Sequence, residues 1–387
     1  MTGTTHAWVD LLDVRDGHRV LLVDAAGRRG EETLRQRTSS LTVVADDDAD
    51  AVARVLAEGA WDLVCFDAVQ ARTVPTHLWD AALTPEGRVV VVGDHLLSPL
   101  RVLDVASRRA AGPGARLGHG AAARSLEAAG LVVHQVFGLL RSSNEPVVAF
   151  DSLAPTSLAA VAGSTLAHVD GWRGRLLGVA TSLSGPRMLL LCPGWVVVAT
   201  RGAAPDPDRI VGKVSNRDSH EVKLLRGEPV ASVERQSLHR VSTTPANEAA
   251  ALCELEAVGF DLSPRVLGDP LPTSSRCSWM SGSTLPLGDL AESELCSWVA
   301  RAAEVLLRMQ RATLHDDGTV LVHGDYWLGN LLVEGGRVSA VVDWADAFRG
   351  SPEHDRDFLV ASLERWITSE ALRDRLVRAR DEVLSPL

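Results

Sequence analysis

The sequence predicts an α/β domain followed by a two-lobed α+β domain, and three features carry that expectation. Strand-like runs alternate with helical patterns up to about residue 155. A stretch of Gly, Ser and Ala with little periodicity covers residues 156–186. Beyond it come short strands and two helical patterns. The expected division is therefore residues 1–155, a joining layer at 156–186, a small lobe at 187–272 and a larger lobe at 273–387.

In the first domain the apolar, β-branched runs are Arg19 to Val23, Leu41 to Ala45, Asp62 to Phe66, Arg88 to Val92 and Val147 to Phe150. Between them, Ala49 to Glu58 and Ala121 to Ala129 place apolar residues at helical spacing. This is the rhythm of a parallel sheet wound with helices, a Rossmann-like arrangement. The first strand leads into the turn Asp24-Ala25-Ala26-Gly27-Arg28-Arg29-Gly30-Glu31, and Asp46 or Asp47 follows the second. That order resembles the class I methyltransferase fold in degenerate form. Early alanines and two central arginines stand where close backbone approach to a cofactor needs glycine, so the resemblance implies a scaffold, docking surface or substrate selector more than a working S-adenosylmethionine site.

The small lobe is expected to begin with a hairpin, Met188 to Cys192 and Trp195 to Thr200 around Pro193-Gly194, with Arg209 to Val214 as a third strand. A helix over Ala246 to Val258 follows, stopped by Gly259. The larger lobe holds an amphipathic helix from Glu292 to Leu314 and two strands, Leu331 to Val333 and Val338 to Val342.

Composition narrows the class of function. Hydrophobic residues at 46% and charged residues at 23% describe a globular chain. A net charge of -11 disfavours nucleic acid and anionic membranes as partners, since both demand clustered Lys and Arg. Five scattered cysteines without a Cys-x-x-Cys pair argue against a disulfide framework or structural zinc, and no apolar stretch approaches a membrane span, so a cytoplasmic address is expected.

The chemistry-bearing segment is His323-Gly324-Asp325-Tyr326-Trp327-Leu328-Gly329-Asn330, followed after a short hairpin by Val341-Val342-Asp343-Trp344. Phosphoryl transfer leaves the protein little covalent work, so it needs groups that position the acceptor hydroxyl and neutralise charge at the phosphates. Asp325 is placed to accept or orient the acceptor proton, with Asn330 and Asp343 as oxygen ligands for magnesium. These residues resemble the aminoglycoside phosphotransferase and choline kinase family, whose loop reads His-Gly-Asp-x-x-x-x-Asn. The likeness continues through Asp346 and Gly350-Ser351-Pro352-Glu353-His354-Asp355. It implies a protein-kinase-like fold, and that Asp355 braces the loop through backbone hydrogen bonds beside His323. Many members carry His and Pro where Trp327 and Leu328 stand.

Such a site also needs a strand-borne lysine for the phosphates and a helix glutamate to hold it. Lys213 and Glu248 are the expected pair, with Lys223 and Glu254 as substitutes. No Gly-x-Gly-x-x-Gly covers the phosphates, and the adenine is expected near Cys277 to Gly282. The reading is a transferase that moves the γ-phosphoryl of ATP, or GTP, with Mg2+, to a small-molecule hydroxyl such as an aminoglycoside, sugar or amino alcohol. A peptidyl Ser or Thr acceptor, a silent kinase-fold binding module and a methyltransferase with a kinase-like appendage are the alternatives. Only about thirty residues follow Asp355, so the N-terminal domain is expected to wall the acceptor pocket unless a partner presents the acceptor. The acceptor's identity and the oligomeric state are left open.

Overall fold

The computed structural model describes residues 8–24, 30–45, 49–67, 79, 81–94, 118–140, 148–154, 156–166, 185–202, 206–216, 221–237, 244–271 and 273–385. Ala25 to Arg29, Asp46 and Asp47 lie outside the described residues, as does much of the expected joining layer. The chain divides into two units. The first comprises residues 1–161, 179–217 and 224–230, and the second 162–178, 218–223 and 231–387.

Unit 1 is built on strands β1 (Arg19–Asp24), β2 (Ser40–Ala45), β3 (Trp61–Asp67), β4 (Leu83–Asp94), β5 (Val132–Leu140), β6 (Val148–Asp151), β7 (Gly194–Thr200) and β8 (Ile210–Asn216). Their order is β8-β6-β5-β7-β4-β3-β1-β2. β1, β2, β3 and β4 run parallel, with Val20 opposite Leu41 and Leu63, and β7 lies antiparallel between β4 and β5. The α/β expectation therefore holds in the sheet itself. Helices α1 (Glu31–Arg37), α2 (Ala49–Ala57) and α3 (His119–Ala128) are interleaved with these strands in the chain, and α4 (Ser157–Leu166) and α5 (Gly185–Leu189) come later. Val52 and Leu56 of α2, and Ala122 and Leu126 of α3, turn inward at four-residue spacing onto a core with Val64, Phe66, Val89, Val91 and Trp195.

The structure divides the chain differently from the sequence expectation. β7 and β8, expected in the small lobe, belong to the sheet of unit 1, and Met188 and Leu189 stand in the short helix α5 instead of a hairpin arm. The reason is burial. Trp195 to Ala199 is closed to solvent on both faces, which suits an apolar, β-branched run to the centre of a sheet.

Unit 2 contains β10 (Ser232–Ser237), β11 (Ser274–Ser278), β12 (Ser283–Thr284), β13 (Val320–Val322), β14 (Leu331–Glu334), β15 (Arg337–Val341) and β16 (Phe348–Gly350). β9 (Glu221–Arg226) begins in this unit, to which Lys223 belongs, and neighbours β10. β10 pairs antiparallel with β11, β12-β14-β15 form a second sheet, and β13 pairs with β16. The helices are α6 (Thr244–Ala257), α7 (Glu292–Ala312), α8 (Glu353–Ala361) and α9 (Glu370–Leu384). On α7, Leu295, Val299, Ala302, Leu306 and Met309 form a helical stripe, and it packs with Tyr326, Leu328, Trp344, Leu359 and Leu376 into one core. Among the described residues, no helix is long and apolar enough to cross a membrane.

Candidate active site

The hairpin β14–β15 sets the geometry. Its turn is Gly335-Gly336, both at positive φ, as a tight two-residue connection requires. The pairing places Leu331 opposite Val341, so Asn330, one residue before β14, faces Val342, one residue past β15, and the Val342 N–H donates to the Asn330 carbonyl at 2.9 Å. Asn330 is thereby held one residue's reach from Asp343. Asp343 itself has φ of 69°, a conformation uncommon outside glycine and concentrated at functional sites.

His323 ties the loop to that strand end. The buried imidazole shares a hydrogen bond of 3.1 Å with the Val342 carbonyl through Nε2, while Nδ1 accepts from the Asp325 N–H at 3.3 Å. The second contact needs an unprotonated Nδ1, which assigns the proton to Nε2. Tyr326 anchors the loop from beneath, its hydroxyl donating to the Ala302 carbonyl of α7 at 2.8 Å. Asp355, fully buried on α8, accepts from the backbone N–H groups of His323 at 2.7 Å and Gly324 at 3.0 Å. This is the bracing geometry the resemblance implies for Asp355. Trp327 packs against the unit 2 core and stacks on Trp366 with 6.1 Å between ring centres.

Asn330 donates through Nδ2 to the Asp325 carbonyl and to Asp325 Oδ2, both at 2.9 Å, which leaves its amide oxygen as the group able to meet a cation. Burial raises the Asp325 carboxyl above its ordinary range, and the charges of Asp343 and Asp346 add to the rise, against the Asn330 hydrogen bond. Burial pushes Asp343 the same way, but the charges and hydrogen bonds of Arg235 and Lys223 prevail and hold it well below the usual carboxylate range.

The cations around Asp343 differ from the sequence expectation. Lys223 of β9 donates to Asp343 Oδ2 at 2.9 Å, and Arg235 of β10 donates to Oδ1. Arg235 also pairs with Glu248 at 3.0 Å, and Glu248 accepts from Ser275 Oγ at 2.9 Å. Glu248 reaches β10 because it shares the inward face of α6 with Leu252 and Leu255.

Lys213, the expected partner of Glu248, is fully buried in unit 1 and donates to Asp10 at 2.7 Å, with Arg37 on the other Asp10 oxygen at 2.8 Å. The pairing of Lys213 with Glu248 is thus corrected: Glu248 holds an arginine. A buried ammonium leaves its carboxylate only by stranding an uncompensated charge, so Lys213 is committed to Asp10. Glu254, the substitute for Glu248, is taken by Arg349. Arg235 was missed because its strand, Ser-Val-Glu-Arg-Gln-Ser, is too polar to read as one. The available signal was its place as the last strand-length segment before the helix that bears Glu248.

The residues suit magnesium in kind. The donors are hard oxygens, the Asp343 carboxylate and the Asn330 amide oxygen. Among the described residues, no three His, Cys, Asp or Glu side chains gather into a metal site by themselves. Magnesium commonly binds through one or two carboxylates and completes its shell with phosphate oxygens and water, which this sparse set allows.

Comparison with known proteins locates the likeness in the same stretch. Residues 224–385 match the family described as Phosphotransferase enzyme family (APH). Among curated proteins none matches the chain. Aminoglycoside phosphotransferase APH(3'')-Id from Streptomyces rimosus is 14% identical, with a TM-score of 0.36 over 44% of this chain and 84% of that one. APH(2")-IIa, solved with streptomycin and ATP, is 13% identical, with a TM-score of 0.35 over 44% and 76%. Macrolide 2'-phosphotransferase MphH from Brachybacterium faecium is 15% identical, with a TM-score of 0.32 over 42% and 74%. The resemblance carried by the His323 to Asn330 loop and by Asp343 therefore extends over residues 224–385, a stretch similar to the phosphotransferase enzyme family.

Proposed function

We propose that unit 2 is a phosphotransferase that moves the γ-phosphoryl group of ATP, or of GTP, to a hydroxyl of a small molecule such as an aminoglycoside, sugar or amino alcohol. The observation that carries this reading is the way His323 joins the loop of Asp325 to the strand end of Asp343, while Asn330 bonds Asp325 from between them. These contacts hold three oxygen-bearing groups near one another, which supports a site that works by positioning.

The roles follow from environment. Asp325, with its raised carboxyl, orients the acceptor hydroxyl and takes its proton as the oxygen attacks phosphorus. Asp343 and the amide oxygen of Asn330 are the residues that would hold Mg2+. When bound, the ion supplies positive charge to the phosphate oxygens during transfer. Asp355 and His323 keep the loop backbone in place.

The test is ADP release across a panel of hydroxyl-bearing metabolites, with Asp325→Asn as control. Turnover on at least one acceptor that the control lowers by roughly 10²-fold or more supports the proposal. Thermal shift with ATP and Mg2+ adds a reading independent of the acceptor. No shift in the parent, and the same melting curve for Asp343→Ala, would make the domain a silent kinase fold.

A further inference from the structure

We propose that Lys223, on the strand beside the helix-paired cation, is the side chain that takes the nucleotide phosphates, while Arg235 is a positioning residue that fixes Asp343 relative to α6. The inference rests on the phosphotransferase reading above and deepens it by assigning the phosphate-binding cation.

Two cations meet Asp343, and they are held very differently. Arg235 is anchored: its side chain is 6% exposed, Nε lies 3.0 Å from Glu248, and a second nitrogen is on Asp343. A planar guanidinium committed to two carboxylates in a closed position has little freedom to turn toward a third anion. Lys223 stands on a flexible four-carbon stem, is 34% exposed, and donates to Asp343 at 2.9 Å. Of the two, only Lys223 is able to pass its charge to an incoming phosphate without breaking a buried pair. Arg235 and Glu248 then stay as they are, and Asp343 keeps one fixed partner.

Composition supports the distinction. Of 39 basic residues only two are lysines, Lys213 and Lys223. The first is sealed inside unit 1 on Asp10. In a chain that uses arginine almost everywhere else, the single partly exposed lysine faces the carboxylate assigned to the metal. A compact, mobile point charge is what that position calls for, and a fork-shaped one already occupies the anchored place.

The scarcity of lysine also gives a clean experiment. An acyl-phosphate derivative of ATP carries its acyl group on the terminal phosphate. A neighbouring amine attacks the carbonyl carbon, the new amide bond forms as the carbonyl–oxygen bond to phosphate breaks, ATP departs, and the amine's proton goes to solvent. Guanidinium groups do not react in this way, so Arg235 is silent. On the full chain, peptide mass spectrometry is expected to find the acyl group on Lys223, and a tenfold excess of unmodified ATP with Mg2+ is expected to suppress it. By calorimetry, Lys223→Met should weaken ADP–Mg2+ binding tenfold or more.

If the parent binds nucleotide but Lys223 is not modified, or if Lys223→Met binds as tightly as the parent, the assignment is overturned and the phosphotransferase reading stands. If the parent binds no nucleotide at all, both fall together. Because labelling is measured on the unaltered protein, the result does not depend on whether the variant folds.

Discussion

Arg235 and Glu248 form an ion pair of 3.0 Å in which both side chains are almost closed to solvent. Removing one partner from such a pair leaves a buried charge uncompensated and costs about 3–5 kcal/mol, whereas replacing both with apolar groups is often close to neutral. Arg235→Met alone is therefore expected to lower the urea-unfolding stability by about 3 kcal/mol, the Ser275 hydroxyl being the partner left to Glu248. The double variant Arg235→Met with Glu248→Leu should be more stable than Arg235→Met. Equal losses in the two variants would show that the pair is not what holds α6 to β10.

Asp325 makes a prediction about pH. Burial is the main force raising its carboxyl, and Asp343 and Asp346 contribute. A general base works only when unprotonated, so a raised pKa moves the acidic limb of kcat to higher pH than an ordinary aspartate would give. Asp346 is exposed and bears one of the charges responsible. Asp346→Asn removes a neighbouring negative charge, lowers the Asp325 pKa, and should shift that limb toward lower pH. A shift in the opposite direction, or a limb unchanged by the substitution, would remove Asp325 from the role of base.

The residues of this site were legible in the sequence to unequal degrees, and the reason is physical. Asp325, Asn330 and Asp343 lie within one loop and one hairpin, so chain spacing alone brings them together. The cation and its glutamate come from different elements, and spacing is silent about which strand stands beside which helix. The small-lobe strands are short and polar, Glu-Val-Lys-Leu-Leu-Arg and Ser-Val-Glu-Arg-Gln-Ser, because they carry the charges of the site. The strongest strand signal nearby, Trp-Val-Val-Val-Ala-Thr, belongs to the centre of the other unit's sheet. Attention to apolar runs therefore favoured Lys213 over the residues that face Asp343. Likewise β5 was not anticipated, since His134 and Gln135 interrupt its apolar run.

Gly324 tests how tightly the loop is built. Its φ is +83°, and a Cβ there would lie 2.2 Å from the backbone oxygen of Asp346. The left-handed conformation alone costs a non-glycine residue roughly 1–2 kcal/mol. Because the clash is with backbone and not with the end of a flexible side chain, the segment after Asp343 must also shift. Gly324→Ala is expected to destabilise unit 2 by about 2 kcal/mol or more and to weaken ADP–Mg2+ binding as Asp343 is displaced. A melting curve and a titration check both, and a variant with parental stability would show that the loop is loosely held.

Asp151 offers a test confined to unit 1. It ends β6, is fully buried, accepts from the Val136 N–H at 3.2 Å and the Leu153 N–H at 3.0 Å, and has the Arg209 guanidinium 3.8 Å away. Burial raises its pKa to about 6, from 3.8 in the unfolded chain, despite the opposing pull of those N–H groups and of Arg209. The folded state therefore binds the proton more tightly than the unfolded state. The associated stability is fully present below about pH 4 and is lost as pH rises through about 6, a loss on the order of 2–3 kcal/mol by pH 8. Asp151→Asn keeps an acceptor for Val136 and Leu153 but has no proton to lose. Relative to the parent, the variant should gain stability mainly between about pH 4 and about pH 6 and level off above about pH 7, measured by urea unfolding at intervals from about pH 4 to about pH 8. A difference that stays constant with pH would mean that Asp151 is not held protonated in the fold, and that Arg209 compensates its charge in full.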